Sequence, residues 1–153
     1  LPRWLGIDYG SVRIGLAVSD PGEAIASPAD SLSAGRTARA SVDAILKWCE
    51  GRDIGGFVVG LPLLMDGRES EQTRRTRIFA DALRAAVSLP VELFDERLSS
   101  FAADLAMDDA HVPRRRRTEL RDALAARHFL QAFLDRRSGR TDPPAAAPSD
   151  SDA

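Results

Sequence analysis

The stretch Trp4-Leu5-Gly6-Ile7-Asp8-Tyr9-Gly10-Ser11-Val12-Arg13-Ile14-Gly15-Leu16-Ala17-Val18-Ser19-Asp20-Pro21-Gly22 decides the fold. Trp4 to Asp8 and Arg13 to Ser19 are short runs dominated by apolar residues, which predicts two strands. Tyr9-Gly10-Ser11 separates them, and Asp20-Pro21-Gly22 turns the chain into a third predicted strand, Ala24 to Ser27. Gaps this short hold no crossover helix, so the three strands form an antiparallel meander.

Downstream the period changes. Ala38, Val42, Ile45, Leu46 and Cys49 recur at helical spacing and predict a helix over Thr37 to Glu50. Ile54 to Leu61 is almost continuously apolar and predicts a strand buried on both faces. Ser70 to Val87 reads as a second amphipathic helix, with Phe79, Ala82, Leu83, Ala86 and Val87 on one stripe. Val91 to Phe94 predicts a further strand, Ser99 or Ser100 the cap of a short helix reaching about Met107, and Pro113 the start of a long helix ending near Arg137. Strands joined through helices lie parallel with right-handed crossovers. The fold class expected is therefore α/β, a five-stranded mixed sheet flanked by helices. A domain over 1–137 is expected to end in a disordered tail over 138–153, rich in Pro, Ala, Ser and Asp.

That order gathers three scattered acids. Asp8 closes the first strand and Glu96, in Asp95-Glu96-Arg97, follows the last, so both reach the same sheet edge if the first strand lies centrally. Asp122 heads the helical stripe Ala126, Phe129, Leu130 and Phe133, so the face that packs on the sheet also carries an acid. Each has an ordinary reading: Asp8 as a turn residue, Glu96 as half of a surface pair with Arg97, Asp122 as a helix surface acid. Their conjunction carries the inference. Clustered carboxylates resist joint ionisation unless a cation compensates them, and Mg2+ or Mn2+ takes oxygen ligands while leaving room for phosphate oxygens. Metal-dependent phosphodiester hydrolysis is the reaction class indicated.

Composition bounds these readings. The 153 residues suit one core, and the single cysteine excludes an intrachain disulfide framework or a cysteine-ligated zinc site. Cys49 shares an apolar helical stripe and reads as a core thiol; His111 and His128 have no metal-ligand spacing. No run reaches membrane-spanning length and no secretory signal stands at the start, so a soluble cytoplasmic protein without a membrane partner is expected. The net charge of −2 resides in the tail, where Arg140 faces Asp142, Asp150 and Asp152; the rest is balanced. Basic residues nevertheless cluster at Arg114, Arg115, Arg116 and Arg117, and again at Arg68, Arg74, Arg75 and Arg77. The first cluster, just ahead of Asp122, and Arg97 beside Glu96 are candidate phosphate contacts for a nucleic-acid partner.

Gly6-Ile7-Asp8-Tyr9-Gly10 with Ile14-Gly15, Gly60-Leu61-Pro62 with Met65-Asp66-Gly67, Asp95-Glu96-Arg97-Leu98-Ser99, and Asp122-Ala123-Leu124-Ala125-Ala126 follow one another in an order that resembles the YqgF/RuvX-like proteins of the RNase H-like superfamily. The similarity spans about Trp4 to Leu134. It implies an RNase H-like fold and a magnesium- or manganese-dependent nuclease with Asp8, Glu96 and Asp122 as metal-binding catalytic acids. It also implies a role in maturing the 5′ end of pre-16S ribosomal RNA in ribosome biogenesis, with Holliday junction resolution on branched DNA as the alternative. RNA is the favoured partner, and the protein is expected as a monomer or homodimer. Two other classes compete. The first glycine loop also resembles that of actin-like ATPases and sugar kinases, which need a second lobe this chain is too short to supply. A non-catalytic RNA-binding or assembly factor would carry the acids as a relic, and the intact triad argues against it.

Overall fold

A computed structural model of the chain describes residues 2–99 and 114–139. Five strands, β1 (Arg3–Tyr9), β2 (Arg13–Ser19), β3 (Ala26–Ser33), β4 (Ile54–Leu61) and β5 (Val91–Asp95), form one sheet in the order β3-β2-β1-β4-β5. β1 to β3 are antiparallel, whereas β1 with β4 and β4 with β5 are parallel. This is the predicted mixed sheet with β1 at its centre. Helices α1 (Ala38–Cys49), α2 (Glu71–Ala86) and α3 (Arg114–Arg137) cover it, and a 3-10 turn (Glu96–Leu98) follows β5 directly. The predicted helix from Ser99 or Ser100 to Met107 and the predicted tail lie outside the described residues, apart from Ser99, Ser138 and Gly139.

Strand alternation divides the core into two layers. Leu5, Ile7, Ile14, Leu16, Phe57 and Val59 pack against Val42 and Ile45 of α1 and Phe79 and Leu83 of α2. Trp4, Ala17, Val58 and Phe94 face the other way, onto Ala126, Phe129, Leu130 and Leu134 of α3. The first two of the predicted helices are capped at their starts: Thr37 Oγ1 accepts from Ala40 N, and Ser70 and Thr73 form a reciprocal capping box. α3 is fastened at its far end, where Trp4 meets Phe133 edge-to-face at 4.9 Å and Arg137 lies over the Trp4 ring at 5.1 Å.

One boundary differs from expectation. β3 covers Ala26–Ser33, whereas Ala24 to Ser27 was the predicted strand. Residues 24 and 25 belong to the turn because their amides donate to Asp20 Oδ1, at 2.8 and 2.7 Å. The strand continues through Pro28 and Asp30 because it lies at the sheet edge, where a missing N–H is tolerated, and because its pairing with β2 shifts register between Leu16 and Ala17.

Candidate metal and nucleic-acid site

Two glycines make room for two of the acids. Gly15 stands opposite Asp8 in the β1–β2 pair, and a Cβ there would land on the backbone carbonyl of Asp122. α3 therefore sits directly on β2 at this point, its first apolar turn brought beside the end of β1. Gly60 follows Val59, the β4 partner of Ile7, and a Cβ there would come 2.5 Å from the Phe129 ring and 2.6 Å from Glu96 Oε2. The sequence motif suggests that its glycines admit a phosphate backbone; at Gly15 the backbone admitted is that of α3.

Asp8, one residue before the end of β1, and Glu96, in the turn after β5, are half-buried at the C-terminal edge of the parallel strands. Neither carboxylate accepts a hydrogen bond among the described residues. Burial and the nearby Asp122 charge push Asp8 up to about 6. Burial, then the charges of Asp8 and Asp95, push Glu96 up to about 7. Asp122 differs: its Oδ2 accepts from Arg13 Nε at 2.7 Å and from Ser31 Oγ at 3.1 Å. The three acids thus share one electrostatic neighbourhood with Asp8 in the middle, coupled on one side to Glu96 and on the other to Asp122. They do not close around a single point: among the described residues no three His, Cys, Asp or Glu side chains lie close enough to hold one ion together.

The donor set nonetheless fits a hard divalent cation. Asp8 and Glu96 offer only oxygen, accept no side-chain hydrogen bond among the described residues, and lie in the fields of other carboxylates, which a cation would relieve. A linkage effect follows without any ion. Both acids bind protons more tightly in the folded than in the unfolded chain, so their contribution to stability is fully present below their ordinary pKa near 4 and is lost as pH rises through about 6 to 7. In chelator, the thermal midpoint should therefore fall between pH 5 and pH 8 more steeply for the parent than for Asp8→Asn, and Mg2+ or Mn2+ should restore stability at pH 8. Parallel melting curves at the two pH values check this.

Arg97 does not extend freely from its turn. Its Nη2 and Nε donate to Asp95 at 2.7 to 3.1 Å, and its Nη1 donates to the Met65 carbonyl at 3.2 Å, tying the β4–α2 loop to the strand end that carries Glu96. Asp95 is held below the usual carboxylate range by that guanidinium. Arg74 pairs with Glu71 and Arg77 with Glu69, so the second basic cluster is charge-compensated. Of the first, Arg114 opens α3 and Arg116 is exposed within its first turn, while the described side chains begin at Arg116. Cys49 is half-buried and its thiol is pushed up to about 11 by burial, which leaves it protonated and no nucleophile. His128 lines a shallow cleft with Leu98, Arg127 and Gln131, apart from the acids.

Arg13 and Ser31 are the site residues that sequence reasoning misses. Alternation along β2 places Arg13 on the face of Gly15, a signal readable once that face is known. Ser31 had no such signal, because it lies beyond the predicted end of its strand.

The chain is 41% identical over 134 residues to the "Putative pre-16S rRNA nuclease" of Ruegeria sp. (strain TM1040), covering 86% of this chain and 83% of that one. A protein of the same name from Rhodobacter capsulatus is 44% identical over 133 residues, covering 86% and 82%. Among solved structures, Thermus thermophilus RuvC in complex with a Holliday junction substrate shares the fold, with a TM-score of 0.53 at 18% identity over 92% of this chain and 98% of that one. The family model described as "RuvX: Holliday junction resolvase" matches residues 2–136. The acids, the glycines that seat them and the sheet that carries them all fall within that match, and the chain belongs to the RuvX family.

Proposed function

We propose that the protein is a divalent-metal-dependent nuclease that hydrolyses phosphodiester bonds in RNA, acting in 5′-end maturation of pre-16S rRNA in the cytoplasm. The observation that carries this reading is Asp8: a half-buried carboxylate, unbonded among the described residues, raised by Asp122 and itself raising Glu96, at the C-terminal edge of the parallel strands. Asp8, Glu96 and Asp122 would hold Mg2+ or Mn2+, which supplies charge neutralisation at the phosphate and a more acidic water. The chain's own part is to hold the acids where that charge is wanted: Gly15 and Gly60 fix their spacing, and the Asp95–Arg97–Met65 tie braces the Glu96 turn. Arg114 to Arg117 would contact phosphates. The run Arg114 to Arg117 gathers positive charge in the first turn of α3, a placement that favours an anion nearby. The names of the relatives support RNA as substrate, and the balanced charge of 1–137 offers no broad duplex-binding face. The family description supports junction cleavage as the second reading.

Purified protein incubated with structured RNA, single-stranded RNA and a four-way DNA junction, with and without Mn2+, tests the proposal. RNA should be cut only with metal and in preference to the junction. Symmetric nicking of the junction by a stable dimer, with RNA untouched, would reverse the two readings.

A further inference from the structure

Arg13 opens β2, and its guanidinium is only partly used. Nε donates to Asp122 Oδ2, the oxygen that Ser31 Oγ also holds, while Nη1 and Nη2 make no hydrogen bond among the described residues. The Arg13 side chain is 40% exposed and its Asp122 partner 22%. Arg97, by contrast, commits all three guanidinium nitrogens to Asp95 and Met65, and Arg74 and Arg77 are matched by glutamates. A half-exposed ion pair is worth about 0–1 kcal/mol, too little to explain an arginine here by stability. Its position is more informative. Arg13 faces exposed Ser33 across the β2–β3 pair, as Gly15 faces Ser31, so a polar strip runs from Asp8 over β2 to the β3 edge on the α3 side of the sheet. Any polyanion approaching the three acids along that strip meets the Arg13 charge beside them.

We propose that Arg13 is a phosphate-binding and positioning residue: its Nε fixes Asp122, and the open end of its guanidinium takes a backbone phosphate of the nucleic-acid strand crossing the β2–β3 margin. The planar fork of guanidinium suits a phosphate, and a single side chain doing both couples substrate arrival to the orientation of the acid. Ser31 shares the positioning but carries no charge. This assignment rests on the nuclease reading above.

The test is RNA binding by the full chain in chelator across a series of KCl concentrations, with turnover in Mn2+ measured in parallel, for the parent, Arg13→Ala, Arg13→Gln, Arg13→Lys and Ser31→Ala. Arg13→Ala and Arg13→Gln should each flatten the log-log salt dependence by about one unit, the release expected for one phosphate contact, and weaken binding about tenfold at low salt. Arg13→Lys should keep the slope. Ser31→Ala should keep slope and affinity yet lower kcat, which separates positioning from phosphate contact. Arg13→Gln retains an N–H for Asp122, so its slope remains readable if Arg13→Ala folds poorly. A parent that binds with a steep slope which Arg13→Gln leaves unchanged overturns the phosphate role of Arg13 alone. A parent that binds no RNA and no junction at any salt overturns the nuclease reading and this assignment with it.

Discussion

Asp8→Asn should lower the proposed metal-dependent phosphodiester hydrolysis about a thousandfold while leaving the fold intact, because it removes the acid that lies in the field of Asp122 and itself acts on Glu96. Asparagine has nearly the same shape, and Asp8 makes no hydrogen bond among the described residues that the amide would break. Its neighbours would in fact be relieved: without the Asp8 charge, Glu96 loses the second of the influences that raise it and should ionise at lower pH. The variant is thus expected to be at least as stable as the parent at pH 8 and nearly inert. Single-turnover cleavage in Mn2+, with melting curves on the same preparation, measures both. Retained cleavage by a pure Asp8→Asn preparation would sink the metal-nuclease assignment.

Gly15→Ala should be the most damaging single-methyl change in the molecule, costing about 3 kcal/mol, or about 10 °C in thermal midpoint. The added Cβ would meet the Asp122 carbonyl, which is backbone and lies within a helix. A flexible side chain would swing away; here α3 as a whole must lift from β2. That movement would also disturb the Arg13 and Ser31 bonds to Asp122, so activity should fall further than stability accounts for. Thermal unfolding and turnover at a temperature where both variants are folded give the comparison. Unchanged melting would mean that α3 docks more loosely on β2 than this contact implies.

Element order and sheet topology were legible because turn residues and hydrophobic period agree along most of the chain: Asp20-Pro21-Gly22 marks a turn that Asp20 does build, and Thr37 and Ser70 do cap their helices. β3 was half-read because Pro28 and Asp30 oppose strand formation locally, and only its place at the edge, a tertiary fact, permits it. The nearness of Asp8 to Glu96 and to Asp122 was legible from sheet logic. Their pairwise arrangement was not, since it depends on which oxygen of Asp122 meets Arg13 across a separation of 109 positions. Gly15 announces a close approach in the sequence, but a missing side chain does not say that the approaching backbone is that of α3.

The placement of Asp122 on the last described helix has a temporal consequence. Asp8 and Glu96 lie in segments that leave the ribosome before α3, and all five strands can pair while that helix is still being made. Until α3 arrives, Trp4, Ala17, Val58 and Phe94 lack the helix they pack against, and Asp122 is absent from the neighbourhood of Asp8. A growing chain therefore has no Asp122 beside Asp8 until α3 docks, and the docking event that buries the second core also completes the proposed set of acids.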